Sequence, residues 1–405
     1  MTRRWPTYAL VGGAAVTLTA VVVAAVAVRS ATGRYWIDLA VYRTSAAVAG
    51  RGDGAVYELV FGDNGAETGF TYPPFAALLL QPLAHVSMVV AVGAWTLASI
   101  LALFAAVWVA LRAAGVPAER RGVLALVATA AAVPMFAVLG HLQSGQIGVF
   151  LMLLVLVDLT TPMIKTSLKS LERIEGRLDQ GGAPWWHGVG VGIAAGIKLT
   201  PLIFVVYLIA IGRIRAAATA MAAFLATAVV GLAWRPADSR WFWGGGLLTP
   251  SRVTGDPRTP LNQSLRGTIA RLTDSADPGL AWLVVAALVG AAGIVVAARI
   301  TRAGDPLLGL LACATTGLLV SPISWHHHWV WVVPALVVLG LRAWHARSRA
   351  GLAAVAGTWL VFVATTTWVL AGAWHGGPLY TNLYVLLGLA FLIALATPMI
   401  KASVK

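Results

Sequence analysis

Apolar residues run along this chain in long blocks separated by short polar segments. The blocks lie at 8–28, 87–112, 122–139, 146–161, 216–234, 280–298, 306–321, 328–342, 351–373 and 381–398. A helix needs about 20 apolar residues to cross a bilayer, whereas barrel strands alternate polar and apolar positions. The pattern therefore predicts an all-α integral membrane protein. Two stretches do not fit a plain crossing. Residues 75–86 are too short, with Pro82 and His85 near their end, and read as an interfacial or re-entrant piece. Residues 188–211 are long enough but are interrupted by Lys198 and Pro201 in Gly196-Ile-Lys198-Leu-Thr200-Pro201.

Charge settles how the second stretch is read. Cytoplasmic loops hold the Lys and Arg excess. If 188–211 is a broken pair of half-spans returning to its starting side, the inside segments are 1–7, 112–121, 162–187, 212–215, 299–305, 342–350 and 399–405. Those segments hold most of the 29 Lys and Arg residues. A single crossing would instead place 374–380, which has no Lys or Arg, inside. The broken reading predicts about twelve membrane helices in one domain spanning 1–405, with both termini cytoplasmic. Two long outside loops follow from it, at 29–73 and 235–279. Within the first, Val41 to Ala49 suits a short helix lying on the membrane, and Tyr72-Pro73-Pro74 ends the loop rigidly.

Composition agrees. The 405 residues are 59% hydrophobic and 11% charged, and the mean hydropathy is +0.82, against about 25% charged residues in a soluble domain. A net charge of +14 would suggest a nucleic-acid partner in a soluble protein. Here it sits in loops between spans, so membrane lipids are the expected partner and nucleic acid is not. The single cysteine, Cys313, excludes an internal disulfide and a cysteine metal cluster. The 17 tryptophans fall largely near span ends, as an interfacial belt requires. The block at 8–28, preceded by Arg3 and Arg4, is longer than a signal-peptide core and reads as a retained span.

Against that frame, a few polar residues stand out. Asp38 follows the first block, flanked by Arg34 and Arg43. One reading is a solvated loop aspartate paired with these arginines; the other is a general base at the membrane surface, which they keep ionised. Three consecutive histidines, His326 to His328, point about 100° apart on a helix, so they make a poor three-ligand metal site. They read either as interfacial histidines or as donors to a phosphate or hydroxyl. Lys198 either snorkels to the interface or presents a cation to a lipid phosphate. Asp158, near an inside span end, suits capping or snorkelling. His141, Gln143, Ser144 and Gln146 form a polar outside turn, and Asn262-Gln263-Ser264 with Arg266 offers amide and guanidinium donors. Asp38, Tyr72, Gln146, Lys198, Asn262, Arg266 and His326 to His328 all fall on or near one side of the predicted topology, and no comparable set lies inside. A one-sided polar cavity suits an enzyme better than a transporter, whose path needs polar groups at mid-membrane depth.

Taken in order, these motifs carry a resemblance. Asp38-Leu-Ala-Val-Tyr42-Arg43, Tyr72-Pro73-Pro74, Ser144-Gly-Gln146, Lys198-Leu-Thr-Pro201, Asn262-Gln-Ser264 and Ser321-Pro-Ile-Ser-Trp325-His326-His327-His328 resemble glycosyltransferase family 87. Its members are actinobacterial membrane enzymes of the GT-C class. The resemblance implies a GT-C type bundle with periplasmic interfacial or re-entrant helices, in the cytoplasmic membrane with its active site facing the periplasm. It also implies inverting transfer of mannose from polyprenyl-phosphate mannose to a phosphatidylinositol mannoside or lipomannan-type glycolipid, forming an α-1,2 linkage. Asp38 would be the general base. His326, His327, Lys198, Arg34, Arg43, Tyr72, Gln146, Asn262 and Arg266 would bind substrate. No cofactor is implied, and dependence on a divalent metal stays open. An arabinofuranosyltransferase using decaprenyl-phosphate arabinose and a flippase for a lipid-linked sugar are the alternatives.

Overall fold

The computed structural model describes residues 36–52, 55–61, 68–170, 184–248, 256–370 and 377–397. The predicted first span and Arg34 lie outside the described residues. In chain order the helices are α1 (Ile37–Arg51), α2 (Pro74–Leu79), α3 (Gln81–Ala84), α4 (Met88–Ala113), α5 (Ala118–Ala132), α6 (Phe136–Ser144), α7 (Gly148–Ser170), α8 (Val189–Ile197) and α9 (Ile203–Ala210). They continue as α10 (Ile214–Trp234), α11 (Pro236–Trp243), α12 (Leu265–Thr273), α13 (Gly279–Arg302), α14 (Pro306–Val320), α15 (Val332–His345), α16 (Arg349–Leu370), α17 (Pro378–Thr381) and α18 (Leu383–Ala396). A two-residue antiparallel ladder, Val60–Phe61 with Thr68–Gly69, lies in the first loop. One contiguous core runs from Trp36 to Leu395.

Among the described residues, α4, α10, α13 and the Arg349–Thr366 part of α16 are long and apolar enough to cross a bilayer, with α5 and α6 together a fifth candidate. Their outer faces carry large exposed apolar side chains, such as Val89 and Leu97 on α4 and Leu280 and Leu288 on α13. An apolar surface of that extent belongs against lipid. Inward, α4 presents Ala102, Ala106 and Ala110, all buried, so neighbouring backbones can approach closely.

The block at 122–139, expected as a single crossing, is instead two helices bent by 81°. Pro134 lies in the break. It lacks an N–H for the helix ladder and its ring crowds the carbonyl one turn back, so α5 ends at Ala132 although Val133 itself keeps helical angles (φ −55°, ψ −43°). α6 ends at Ser144, so His141, Gln143 and Ser144 of the predicted polar turn lie in the last turn of a helix.

The interruption at Lys198 is present. α8 stops at Ile197, Lys198 is extended (φ −148°, ψ 130°), and a short 3-10 turn over Thr200–Leu202 with Pro201 leads into α9. A stripe of small residues brings α8 close to α10. Cβ atoms at Gly188, Gly192 and Gly196 would come within 2.1–2.2 Å of the Ala216 and Ala220 carbonyl oxygens and 2.0 Å of Thr227 Oγ1. Only glycine at this four-residue spacing lets α8 lie against α10. Asp158 is a cap, though of another helix: its carboxylate accepts the backbone N–H groups of Gly188 (2.9 Å) and Val191 (3.0 Å) at the start of α8, where the helix dipole favours negative charge.

The helix foreseen at Val41 to Ala49 is present and extends over Ile37–Arg51, with one face packed inward. Leu39, Tyr42 and Ala46 are buried, and the Gln81 side chain donates to the Ala46 carbonyl. The two long loops also join. Asp238 of α11 accepts the Val56 N–H at 3.2 Å and pairs with Arg235 at 2.7 Å. Tyr57 stacks on Trp241 and Phe242 at 5.0 and 5.5 Å.

Candidate active site

Asp38 sits in the first turn of α1, where the helix N-terminus stabilises a carboxylate. The turn between α6 and α7 sets its surroundings. α6 ends in a Schellman motif: Gly145 adopts a left-handed conformation, its N–H reaches the Leu142 carbonyl, and Gln146 N–H reaches the His141 carbonyl at 3.1 Å. Gly145 is required a second time by crowding, since a Cβ there would lie 2.6 Å from Leu39 Cβ and 3.3 Å from the Trp36 ring. Trp36 N–H also donates to the Gln143 carbonyl at 2.8 Å. The turn is thereby pressed onto the start of α1, and Gln146 is buried beside Asp38.

Around Gln146 the polar groups form one network. Its Oε1 accepts the hydroxyls of Tyr42 (3.4 Å) and Tyr72 (3.3 Å), which are 2.8 Å from each other. Lys198 Nζ donates to the Tyr72 hydroxyl at 3.4 Å and lies 5.1 Å from the Tyr72 ring centre. On its other side it meets His328 Nε2 at 3.0 Å. Burial pushes the Asp38 carboxyl up to about 6, while the Gln146 side chain and the Lys198 charge favour its ionised form.

Beyond Lys198 and His328 lies a cavity with apolar walls. Leu151, Met152 and Val155 of α7, Ile203 and Phe204 of α9, Leu318 of α14 and Trp331 line it, and Lys198, His328, Ser321 and Ser324 are polar at its boundary. A cation and an imidazole next to an apolar slot can receive an anionic group carried on a hydrocarbon chain.

The other predicted site residues are placed differently. Arg43 turns from Asp38 to donate to the Val86 carbonyl at 2.9 Å. Asn262 is fully buried; its Oδ1 accepts Ser324 N–H at 3.1 Å and its amide donates to the Pro257 carbonyl at 3.3 Å. With Gln263 N–H on the Ser324 carbonyl (2.7 Å) and His326 N–H on the Leu261 carbonyl (3.0 Å), residues 261–263 form a short antiparallel splint for the histidine segment. Ser264 caps α12 through Gly267 N–H. Arg266 stacks its guanidinium over Trp282 at 5.6 Å.

Nor are the three histidines equivalent. His326 stacks on Phe136 at 4.0 Å, packed so closely against Gly140 that a Cβ there would reach its ring. His327 is buried, its ring at right-angled contact with both neighbours. Burial pushes His326 down to about 3 and His327 far below the usual histidine range, so both rings are neutral. His328 faces Lys198 and the cavity. Sequence reasoning missed it as the distinct member of the triplet, and left Tyr42 in its motif without a role. The available signal for Tyr42 was its i+4 spacing from Asp38, which places both on one helical face. Among the described residues no three of His, Cys, Asp and Glu gather as metal ligands.

The fold and site define a polytopic α-helical membrane protein in which a carboxylate is linked by a side-chain network to a cation at an apolar cavity. A family model described as glycosyltransferase family 87 matches residues 70–322. A polyprenol-phosphate-mannose-dependent α-(1-2)-phosphatidylinositol pentamannoside mannosyltransferase of Mycobacterium tuberculosis (strain CDC 1551 / Oshkosh) is 35% identical over 84% of this chain and 74% of its own length. A polyprenol-phosphate-mannose-dependent α-(1-2)-phosphatidylinositol mannoside mannosyltransferase of M. tuberculosis (strain ATCC 25618 / H37Rv) is 34% identical over 78% and 73%. A pentamannoside mannosyltransferase of the same description from Mycolicibacterium smegmatis is 33% identical over 85% and 81%. No solved structure matches the chain. The chain belongs to glycosyltransferase family 87.

Proposed function

We propose that this protein transfers mannose from a polyprenyl-phosphate donor to a phosphatidylinositol mannoside-type glycolipid, forming an α-1,2 linkage with inversion at the sugar carbon. The observation that carries the reading is the placement of Lys198 and His328 at one end of an apolar cavity, with Asp38 linked to Lys198 through Gln146 and Tyr72. The matched relatives' names supply mannose and the acceptor class; none of them names arabinose or transport.

In the proposed reaction the donor phosphate lies against Lys198 and His328, and its isoprenoid chain follows the walls formed by Leu151, Val155, Phe204 and Trp331. Asp38 removes the proton from the acceptor hydroxyl. The oxygen then bonds the anomeric carbon as the bond from that carbon to the phosphate oxygen breaks. Inversion requires base and leaving group on opposite sides of the sugar, and the released phosphate gains charge that Lys198 neutralises. No cofactor enters this step. The site opens to the outer face of the cytoplasmic membrane, in a bundle of about twelve helices whose α8–α9 pair returns to its starting side.

Purified protein supplied with radiolabelled polyprenyl-phosphate mannose or arabinose and phosphatidylinositol mannosides tests the reading. Mannose, and not arabinose, enters the glycolipid; incorporation of neither sugar overturns the enzyme. Sidedness has a separate test. A cysteine replacing Gly377 labels with an impermeant reagent in intact cells and one replacing Arg347 does not; the reverse pattern overturns the topology.

A further inference from the structure

We propose that Tyr42 is a positioning residue for the transfer reaction: together with Tyr72 it fixes the side-chain amide of Gln146 so that the NH2 group faces Asp38 and holds the base ready. The inference rests on Asp38 acting as base in the reading above.

The geometry is specific. Tyr42 lies one turn after Asp38 on α1, is almost fully buried, and sends its hydroxyl to the cluster containing Tyr72 and Gln146 Oε1. Its ring is further held by Trp95, 6.1 Å away, whose indole N–H donates to the Gln146 carbonyl at 3.3 Å. Tyr72 Oη accepts a hydrogen bond from Lys198, and the hydroxyls of Tyr72 and Tyr42 donate to Gln146 Oε1, so the acceptor end of the amide faces the tyrosines. An amide has an acceptor end and a donor end. With Oε1 taken by hydroxyl donors, the NH2 group is left for Asp38, whose carboxylate only accepts. A flipped amide would aim its oxygen at that carboxylate and disfavour the ionised base.

The ionisable groups acting on Asp38 are Tyr42 on its own helix, Tyr72 at the loop end and Lys198 at the α8–α9 break. Of the elements packed against α1, α2 and α3 carry no ionisable side chain, α4 carries only Arg112 at its far end, and α6 carries only His141. The 3-10 turn beside α1 carries Glu58 and Tyr57, the latter donating to the Tyr72 carbonyl at 2.8 Å. The Gln146 amide is therefore the neutral group through which the site tunes its base. Tyr42 touches no reacting atom; it acts through Gln146.

Tyr42→Phe preserves the ring and removes only the hydroxyl. With saturating donor, the acid limb of its kcat profile moves up by about one pH unit, leaving transfer several-fold slower at pH 6 and near wild type at pH 8. KM for the polyprenyl-phosphate mannose donor stays unchanged. Gln146→Met gives the same displaced limb, and the double variant moves it no further than either alone, because both act through one hydrogen bond. A rate loss equal at every pH, an unmoved limb in both variants, or additive displacements overturn the positioning role. Absence of mannose transfer by the wild-type protein overturns instead the functional reading beneath it. If Tyr42→Phe folds poorly, the Gln146→Met profile alone decides.

Discussion

Two polar clusters meet at the histidine segment, and they use similar side chains in opposite ways. In the cluster around Asn262, Gln263 and Ser264, the side-chain groups end largely on backbone: Asn262 on Ser324 and Pro257, Gln263 on Pro260, Thr381 and Tyr384, Ser264 on Gly267 and Pro322. Around Gln146 the bonds run from side chain to side chain, through Tyr42, Tyr72 and Lys198 to His328. The first cluster is a splint whose donors and acceptors are matched within the fold. The second keeps an ammonium and an imidazole at the edge of a cavity and ties them to a carboxylate. Residue type alone does not separate scaffold from chemistry; the partners do.

The largest effect that tests this contrast falls on Asp38. Asp38→Asn lowers transfer by about 10²–10⁴-fold, the range for a positioned general base, with donor binding retained in a direct binding assay. A near-normal rate would move Asp38 from the second cluster into the first. Lys198→Met comes next, with a loss of roughly 10²-fold as the departing phosphate loses its cation; wild-type kcat there would remove the charge role. The pH profile follows. Since Asp38 is held up to about 6 by burial, and a base works only when ionised, transfer falls as pH drops through about 6 and levels off above it. A profile flat down to pH 5 contradicts the assignment.

Smaller effects are expected from the splint, of another kind. Asn262→Ala strips partners from the buried Ser324 N–H and the Pro257 carbonyl, costing about 1–3 kcal/mol of stability. It lowers the thermal midpoint while leaving KM for the donor unchanged; a raised KM with unaltered unfolding would place Asn262 at the substrate. Arg266→Ala is the mildest. It removes a contact with Trp282 worth about 0.5–1 kcal/mol, and transfer stays within a few-fold of wild type.

Much of this molecule was legible from its residues in order. The apolar blocks, the charge asymmetry, the interruption at Lys198 and the sequence of motifs that marks the family are all local, and burial in lipid imposes them segment by segment. The Pro134 bend was within reach but was overridden by the continuous apolar run around it. Pairings were not legible. Gln146 and Tyr42 are 104 positions apart, and Lys198 and His328 are 130. Whether Arg43 meets Asp38 or Val86, and which of three identical histidines faces the cation, depends on how distant helices pack. The sequence by itself determined a membrane protein of this family with an acid, a lysine and histidines in fixed order. Only the tertiary structure decided which of them share a hydrogen bond, because a polar group in a packed interior takes the partner that distant backbone places within about 3 Å of it.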